Sequence, residues 1–169
     1  MKNMNKKATY IMMAFILVVP IAVLLMLSPV GSHYFGSIKD GDVESFADQI
    51  AQNADVTAEK IYTDESDGVM AVLVLDTDGG QHFATYSHDS LFKSRWAADA
   101  DSLKSYAAGE LTCFTTATAG DQTILYGTAL PEATGYSYVL DGKTVENTLD
   151  GDTILEFVTG TVTDCQLLS

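Results

Sequence analysis

The sequence predicts an α+β protein: one N-terminal transmembrane helix followed by a mainly antiparallel β exported domain with one or two short helices. Three observations lead to this fold class. Residues 8–27 form an apolar run without a single charge. An amphipathic helical pattern follows, and after it come short strand-like segments separated by turn residues. In the second half these segments recur roughly every ten residues, which is typical of a small antiparallel sandwich or barrel-like sheet.

The apolar run, Ala8 to Leu27, determines where the protein is expected to reside. A helix of about twenty residues rises about 30 Å, which is the thickness of the hydrocarbon core of a bilayer. Lys2, Lys6 and Lys7 precede the run, whereas the next charge after it is Lys39. Because basic residues stay on the cytoplasmic side, we expect a single-pass protein with a cytoplasmic N-terminus and an extracytoplasmic C-terminal domain.

A cleaved signal peptide is the alternative to this anchor. The apolar core is longer than the roughly 7–15 residues of a secretory signal, which favours a retained signal-anchor. Small residues around Ser32 nevertheless form a candidate cleavage site. Cleavage there would give a secreted protein.

The anchor hypothesis divides the chain into four segments. These are a basic cytoplasmic tail (1–7), the transmembrane helix (8–27), a juxtamembrane linker (28–40) and the exported domain (41–169). Pro and Gly residues mark the linker. Within the exported domain, we expect a helix-and-hairpin part over residues 41–108 and a sandwich-like β part over residues 109–169.

Periodicity and turn residues predict the elements of the exported domain. Apolar residues at three- and four-residue spacing predict a helix from Asp42, its N-cap, to Asn53. The run from Val69 to Asp76 predicts a central strand buried on both faces, which a Gly-rich turn joins to a strand over residues 81–87. Further strands are predicted over residues 57–63, 91–96, 110–118, 122–129, 135–140, 143–149 and 153–163.

Three local patterns carry further expectations. Residues 99–108 are expected to form a short helix or an irregular acidic loop. The pairs Asp141-Gly142 and Asp150-Gly151 predict hairpin turns. Gly127 and Gly160 lie inside strand patterns and predict β-bulges.

The exported part is strongly acidic. All 23 Asp and Glu residues lie at or after Asp40, against six Lys and Arg residues from Lys39 onward, which gives this part a net charge of −17. Such a surface repels phosphate backbones, so nucleic acid is excluded as a partner. The expected partners are the membrane, through residues 8–27, and another membrane or cell-surface protein. No cofactor is expected.

Cys113 and Cys165 form the candidate disulfide. An even number of cysteines in an exported domain permits a bridge, which here would close a loop of about 53 residues. The alternative is a pair of buried free thiols that act as small hydrophobic side chains.

Catalytic and metal-binding residue types occur without the spacing that their chemistry needs. His82 and His88 would lie about 20 Å apart on one strand, too far for a shared zinc ion. Ser87-His88-Asp89 contains triad residue types, but sequence neighbours do not flank one imidazole. Asp76-Thr77-Asp78-Gly79 begins like a calcium loop and lacks its later ligands, so we interpret it as a hairpin turn. No catalytic, cofactor-binding or metal-ligating residue is therefore assigned.

The only Arg and the only Trp of the chain are neighbours, Arg95 and Trp96. An exposed Trp is an effective anchor for a partner, so this pair is the candidate partner contact. The alternative is a core Trp beside an Arg that pairs with surface carboxylates.

The layout resembles that of uncharacterised, signal-anchored exported proteins of Gram-positive bacteria. Thr123-Ile124-Leu125-Tyr126-Gly127, followed by Pro131 and by Asp141-Gly142-Lys143, resembles their β-rich C-terminal half. The resemblance implies no activity and no site residue. We expect a non-enzymatic binding or accessory module on the extracytoplasmic face. The alternatives are a carboxylate-dependent hydrolase and a weakly calcium-responsive structural domain.

Overall fold

The computed structural model describes residues 16, 18–99, 101–115 and 121–169. They form a mainly antiparallel β protein with few short helices, which confirms the α+β class. Residues 18–26 are helical, and the two helices that follow are α1 (Pro29–Gly36) and α2 (Val43–Ala54). The strands are β1 (Ile38–Lys39), β2 (Ala58–Ser66), β3 (Val69–Asp76), β4 (Gln81–His88), β5 (Arg95–Ala98), β6 (Lys104–Tyr106), β7 (Leu111–Thr115), β8 (Gln122–Thr128), β9 (Gly135–Leu140), β10 (Lys143–Thr148), β11 (Thr153–Thr159) and β12 (Val162–Leu168).

Helix α2 begins after Asp42, as its sequence predicts, and ends at Ala54, one residue beyond the predicted end at Asn53. The Asp42 side chain accepts a hydrogen bond from the backbone N–H of Ser45, which satisfies one of the free donors of the first turn. The C-cap of the helix is Asp55, which adopts the left-handed conformation. Between these ends, Phe46 and Ile50 are fully buried against the first sheet.

The first sheet has the strand order β1-β5-β4-β3-β2, and β6 also pairs with β4. Strand β3 is central and buried on both faces, as predicted, because α2 covers one face and β8 covers the other. A two-residue turn at Asp67 and Gly68, both with positive φ, joins β2 to β3. Strands β3 and β4 form the predicted hairpin.

The second half forms two three-stranded sheets, β11-β8-β7 and β10-β9-β12. Strand β8 shows how they stack. Its residues Ile124 and Tyr126 pack on the first sheet, and the Tyr126 ring stacks 3.8 Å from that of Phe83. The intervening Leu125 packs against Tyr138 of the third sheet. The domain is therefore a stack of four layers, one helix and three sheets.

Several predicted elements need correction. The strand predicted over 91–96 begins only at Arg95, and residues 99–108 contain the short strand β6. The strand predicted over 153–163 ends at Thr159, because Gly160 has a φ of +116° and turns the chain into β12. Residues 116–118 of the predicted strand 110–118 lie outside the described residues.

The predicted roles of two turn or strand glycines also change. Gly127 forms no bulge, since its pairing with both neighbours is continuous; a Cβ there would lie 2.2 Å from the Glu110 carbonyl oxygen. Asp150-Gly151 does not close a hairpin, because β10 pairs with β9 whereas β11 pairs with β8.

The N-terminal segment is described in part. Residues 18–26 are helical, and α1 and β1 lie in the stretch predicted to be a linker. Within the described part of the chain, no helix combines the length and the hydropathy that crossing a membrane requires. The basic tail and most of residues 8–17 of the predicted anchor lie outside the described residues.

Candidate functional site

The turn between β3 and β4 fixes a buried carboxylate. Asp76 closes strand β3, and its Oδ1 accepts hydrogen bonds from the backbone N–H groups of Asp78 and Gly80, both at 2.8 Å. The tightness of the turn is visible at Gly80, where a Cβ would lie 2.6 Å from Asp76 Oδ2. The hairpin interpretation of this segment is therefore confirmed, and the turn holds the carboxylate in one orientation.

A buried imidazole connects this carboxylate to an exposed hydroxyl. His82 Nε2 lies 2.8 Å from Asp76 Oδ2, and His82 Nδ1 lies 2.8 Å from Ser105 Oγ. His82 and Asp76 are buried, whereas Ser105 is exposed. The register of the sheet produces this contact, because His82 on β4 lies directly opposite Ser105 on β6.

The electrostatics of the site determine the ionisation state of Asp76 and which nitrogen of His82 carries the proton. The hydrogen bond from His82 lowers the pKa of Asp76, and the two turn amides add to this effect against the opposing effect of burial. Asp76 is therefore ionised at neutral pH. The imidazole nitrogen that faces an ionised carboxylate carries the proton, so neutral His82 has its proton on Nε2. Its Nδ1 then accepts, and the Ser105 hydroxyl donates to it.

A second polar cluster joins α1 to the domain. His33 Nδ1 lies 2.7 Å from Oδ2 of the buried Asp89, whose Oδ1 accepts from the N–H groups of Leu91 and Phe92. Burial opposes ionisation of Asp89, but the three hydrogen bonds outweigh it and the pKa of Asp89 is lowered. The cluster fixes the irregular loop before β5.

Arg95 strengthens the same junction. Its guanidinium donates to the Ser37 hydroxyl and to the Ser37 carbonyl oxygen, and it lies 4.5 Å from the centre of the Tyr34 ring. The expected pairing of Arg95 with surface carboxylates is thus replaced by contacts with Tyr34 of α1 and with Ser37, which follows the helix. The predicted linker is docked on the domain.

Trp96 lies in the core, as the second of the two interpretations expects. Only 1% of its surface is exposed, and its Nε1 donates to Asp40. His88 stacks on it at 4.0 Å between ring centres. An exposed Trp anchor is therefore not what this fold presents, and the candidate partner contact is reduced to the half-buried Arg95.

The two cysteines are brought together. Cys113 on β7 and Cys165 on β12 are half-buried free thiols that pack in the same core cluster. Burial, followed by the neighbouring thiol of Cys113, raises the pKa of Cys165 to about 12. The disulfide stays a prediction, and the fold places the two cysteine side chains close to each other.

The residues of the sequence motif Ser87-His88-Asp89 have separate partners. Ser87 donates to Asp99, His88 stacks on Trp96 and Asp89 binds His33. The motif therefore contributes no common site. Among the described residues, no group of three or more His, Cys, Asp or Glu side chains is placed to hold a metal ion.

Neither polar cluster is predicted by the sequence. His33 and Asp89 are 56 residues apart, and His82 and Ser105 are 23 apart. No local spacing rule connects such pairs. The one usable signal was Asp76 in a turn directly before a strand that contains His82, since an Asp in a tight turn often caps backbone amides.

Comparisons with known proteins add nothing to this geometry. No family model matches the chain, and neither a curated protein nor a solved structure has a significant match to it. The function has to be argued from the residues themselves.

Proposed function

We propose that this chain is a membrane-anchored extracytoplasmic module, with residues 8–27 as its anchor and its N-terminus in the cytoplasm. The β domain acts as a binding or accessory module for another membrane or cell-surface protein. The observation that carries the proposal is the exposure of the apolar segment from Ile16 to Leu27. Nine large hydrophobic side chains in it are 47–78% exposed.

The energetics favour a bilayer as the environment of this segment. Each large apolar side chain moved from water into hydrocarbon gains roughly 1.5–3 kcal/mol. No other helix or strand in the described part of the chain exposes nine such side chains: large apolar residues of the domain pack in three core clusters, apart from scattered exposed ones such as Leu91 and Leu130. A helix that is apolar all round is typical of a membrane span.

The contacts of α1 with the apolar helix and with the β domain support a domain that is held in one orientation relative to its anchor. Ser28 caps α1 by accepting from the Gly31 N–H, and Pro29 starts the helix. A Cβ on Gly31 would lie 1.8 Å from the Leu25 carbonyl oxygen, so α1 packs tightly on the end of the apolar helix. Since His33 and Arg95 tie α1 to the domain, the anchor and the domain are linked through contacts rather than through a free tether.

The anchor is tested by extraction of membranes with alkaline carbonate. Val18→Arg combined with Val19→Arg, near the centre of residues 8–27, adds about 2.5–3.5 kcal/mol per charge to the cost of insertion, so this variant should be released whereas the unaltered chain stays in the pellet. Leu91→Arg is the matched control, because Leu91 is an exposed leucine of the β domain.

Topology and partner are tested in intact cells. External protease should degrade the β domain of the unaltered chain, and mass analysis should find the segment before Ser32 still attached. Release of the unaltered chain by carbonate, or loss of that segment, would instead support a secreted protein. A chain that migrates as a lone polypeptide after mild detergent extraction and crosslinking would argue against the partner.

A further inference from the structure

We propose that Ser105 is the nucleophile of an acyl-transfer site, with His82 as its general base and Asp76 as the group that orients the base. This activity goes beyond membrane anchoring and does not rest on it. The inference starts from one hydrogen-bonded chain, Ser105 Oγ to His82 Nδ1 and His82 Nε2 to Asp76 Oδ2, with 2.8 Å at each step.

The three groups have the mutual relations that nucleophilic catalysis needs. The hydroxyl and the carboxylate lie on opposite nitrogens of the imidazole, so one nitrogen can take a proton while the other is held by a negative charge. The two ring nitrogens are interchanged relative to serine proteases, where the hydroxyl contacts Nε2. Either nitrogen accepts a proton, and the tautomer here is the one that leaves Nδ1 free.

The base and its carboxylate are buried, whereas the reacting hydroxyl is exposed. His82 is 6% exposed and Asp76 is 8% exposed, so bulk water competes little for their hydrogen bond. Ser105 is exposed on the short strand β6. A substrate can therefore reach the hydroxyl, whereas the base and its carboxylate are fixed in advance by the β3–β4 turn and by the pairing of β4 with β6.

The expected reaction is hydrolysis of an ester through an acyl-serine. Ser105 Oγ attacks the carbonyl carbon while its proton moves to His82 Nδ1. The same proton passes to the departing alkoxide, so an alcohol leaves and the acyl group remains on Ser105. Water, deprotonated by His82 Nδ1, then attacks the acyl-serine, which releases a carboxylic acid and restores the hydroxyl.

The charge of the molecule narrows the substrate class. The part of the chain from Lys39 onward carries a net charge of −17, which repels anionic esters. An exposed hydroxyl favours small or reactive acyl groups over a substrate that must be enclosed. The class that fits is a neutral or cationic ester with a small acyl group.

The test treats the full chain, in detergent, with an uncharged alkyl fluorophosphonate. A reactive serine of the protein attacks the phosphorus of this reagent and displaces fluoride. We expect one adduct, located at Ser105 by peptide mass analysis. Ser105→Ala should lose it, whereas Ser87→Ala should keep it, because the Ser87 hydroxyl contacts the Asp99 carboxylate rather than His82.

Asp76→Asn separates catalysis from structure. An Asn side chain can still accept from the turn amides of Asp78 and Gly80, but its NH₂ group would face His82 Nε2 and move the imidazole proton to Nδ1. We expect the labelling rate to fall at least about 100-fold. An unchanged rate in this variant would overturn the proposal, because a purely structural network predicts only a lower melting temperature.

A measurement on the unaltered chain keeps the proposal open to refutation if Asp76→Asn fails to fold. In the unaltered chain the adduct should form at Ser105, whose hydroxyl contacts an imidazole, and not at Ser87, whose hydroxyl contacts a carboxylate. The absence of any adduct at Ser105, or equal labelling of Ser105 and Ser87, would refute the assignment. Cleavage of p-nitrophenyl acetate by the chain, lost in Ser105→Ala, would support turnover.

Discussion

Two buried carboxylates each hold a turn or loop and a histidine side chain of this domain in place. Asp76 and Asp89 are both buried, and each uses one oxygen for two backbone N–H groups and the other for an imidazole. Their lowered pKa values mean that the folded state holds them ionised to lower pH than the unfolded chain does. Such groups stabilise the fold above the pKa of the unfolded chain, near 3.9, and lose this effect as pH falls through the lower folded value.

Asp89→Asn should therefore destabilise the protein in a pH-dependent way. At pH 7 we expect a loss of about 1–3 kcal/mol in the free energy of unfolding, because the buried contact with His33 is lost. The difference from the unaltered chain should shrink as pH falls below about 4. Urea denaturation across this pH range measures it, with Asp48→Asn, an exposed Asp on α2, as the control. Equal losses for both variants would contradict the role of Asp89.

At the scale of elements, the close approach between the entry to β7 and strand β8 depends on a glycine. A Cβ on Gly127 would lie 2.2 Å from the Glu110 carbonyl oxygen and 2.9 Å from the Leu111 Cα. Both atoms belong to the backbone, so the clash cannot be relieved by a side-chain rotation. The glycine is needed for space rather than for an unusual φ, so its position inside a strand pattern marks a close backbone contact and not the predicted bulge.

Gly127→Ala should lower the free energy of unfolding by about 2–3 kcal/mol, because the added methyl group forces β7 and β8 apart. Gly36→Ala is the matched control, since a Cβ there meets nothing within 4 Å and the residue ends helix α1. The midpoints of urea denaturation measure the difference in the free energy of unfolding between the two variants, provided that both have the same m-value. A midpoint for Gly127→Ala that equals the control would mean that the strands are further apart than described.

Helices and strands whose bounds depend on local sequence signals could be predicted from the sequence. The bounds of β3 follow from an apolar run between turn residues, and α2 follows from its spacing and from Asp42. The start of strand β5 could not be predicted, because the loop before it is shaped by the Asp89 side chain and by His33 from α1. The candidate site also escaped prediction, since Ser105 reaches His82 only through the pairing of two strands that are not consecutive.

At the scale of the whole molecule, Cys113 and Cys165 sit where two of the three sheets meet. Their strands, β7 and β12, belong to different sheets, so a bridge would tie these layers together. Because the thiolate is the attacking species and the pKa of Cys165 is raised to about 12, Cys165 should be a slow nucleophile in disulfide exchange at neutral pH.

On the extracytoplasmic face, where we propose that the domain lies, we expect Cys113 and Cys165 to form this disulfide. A loop of about 53 residues would then add roughly 4 kcal/mol to the free energy of unfolding, which a reductant should remove. Thiol titration of the denatured chain and urea denaturation with and without reductant measure the two effects. Cys165→Ser should show no response to reductant. Two titratable thiols in the unaltered chain would contradict the bridge.

The two-sided burial of β3 has a consequence for how the chain avoids aggregation while it folds. The segment Val69 to Leu75 is uncharged, rich in β-branched residues and free of Pro, which are the features of sequences that assemble into cross-β fibrils when exposed. Asp67 and Asp76 flank it as charged gatekeepers. Its partners β2 and β4 are its immediate neighbours in sequence, and hairpins form within roughly 1–10 μs. The strand that would be most prone to aggregation is thus the one that needs the least time to find its native partners.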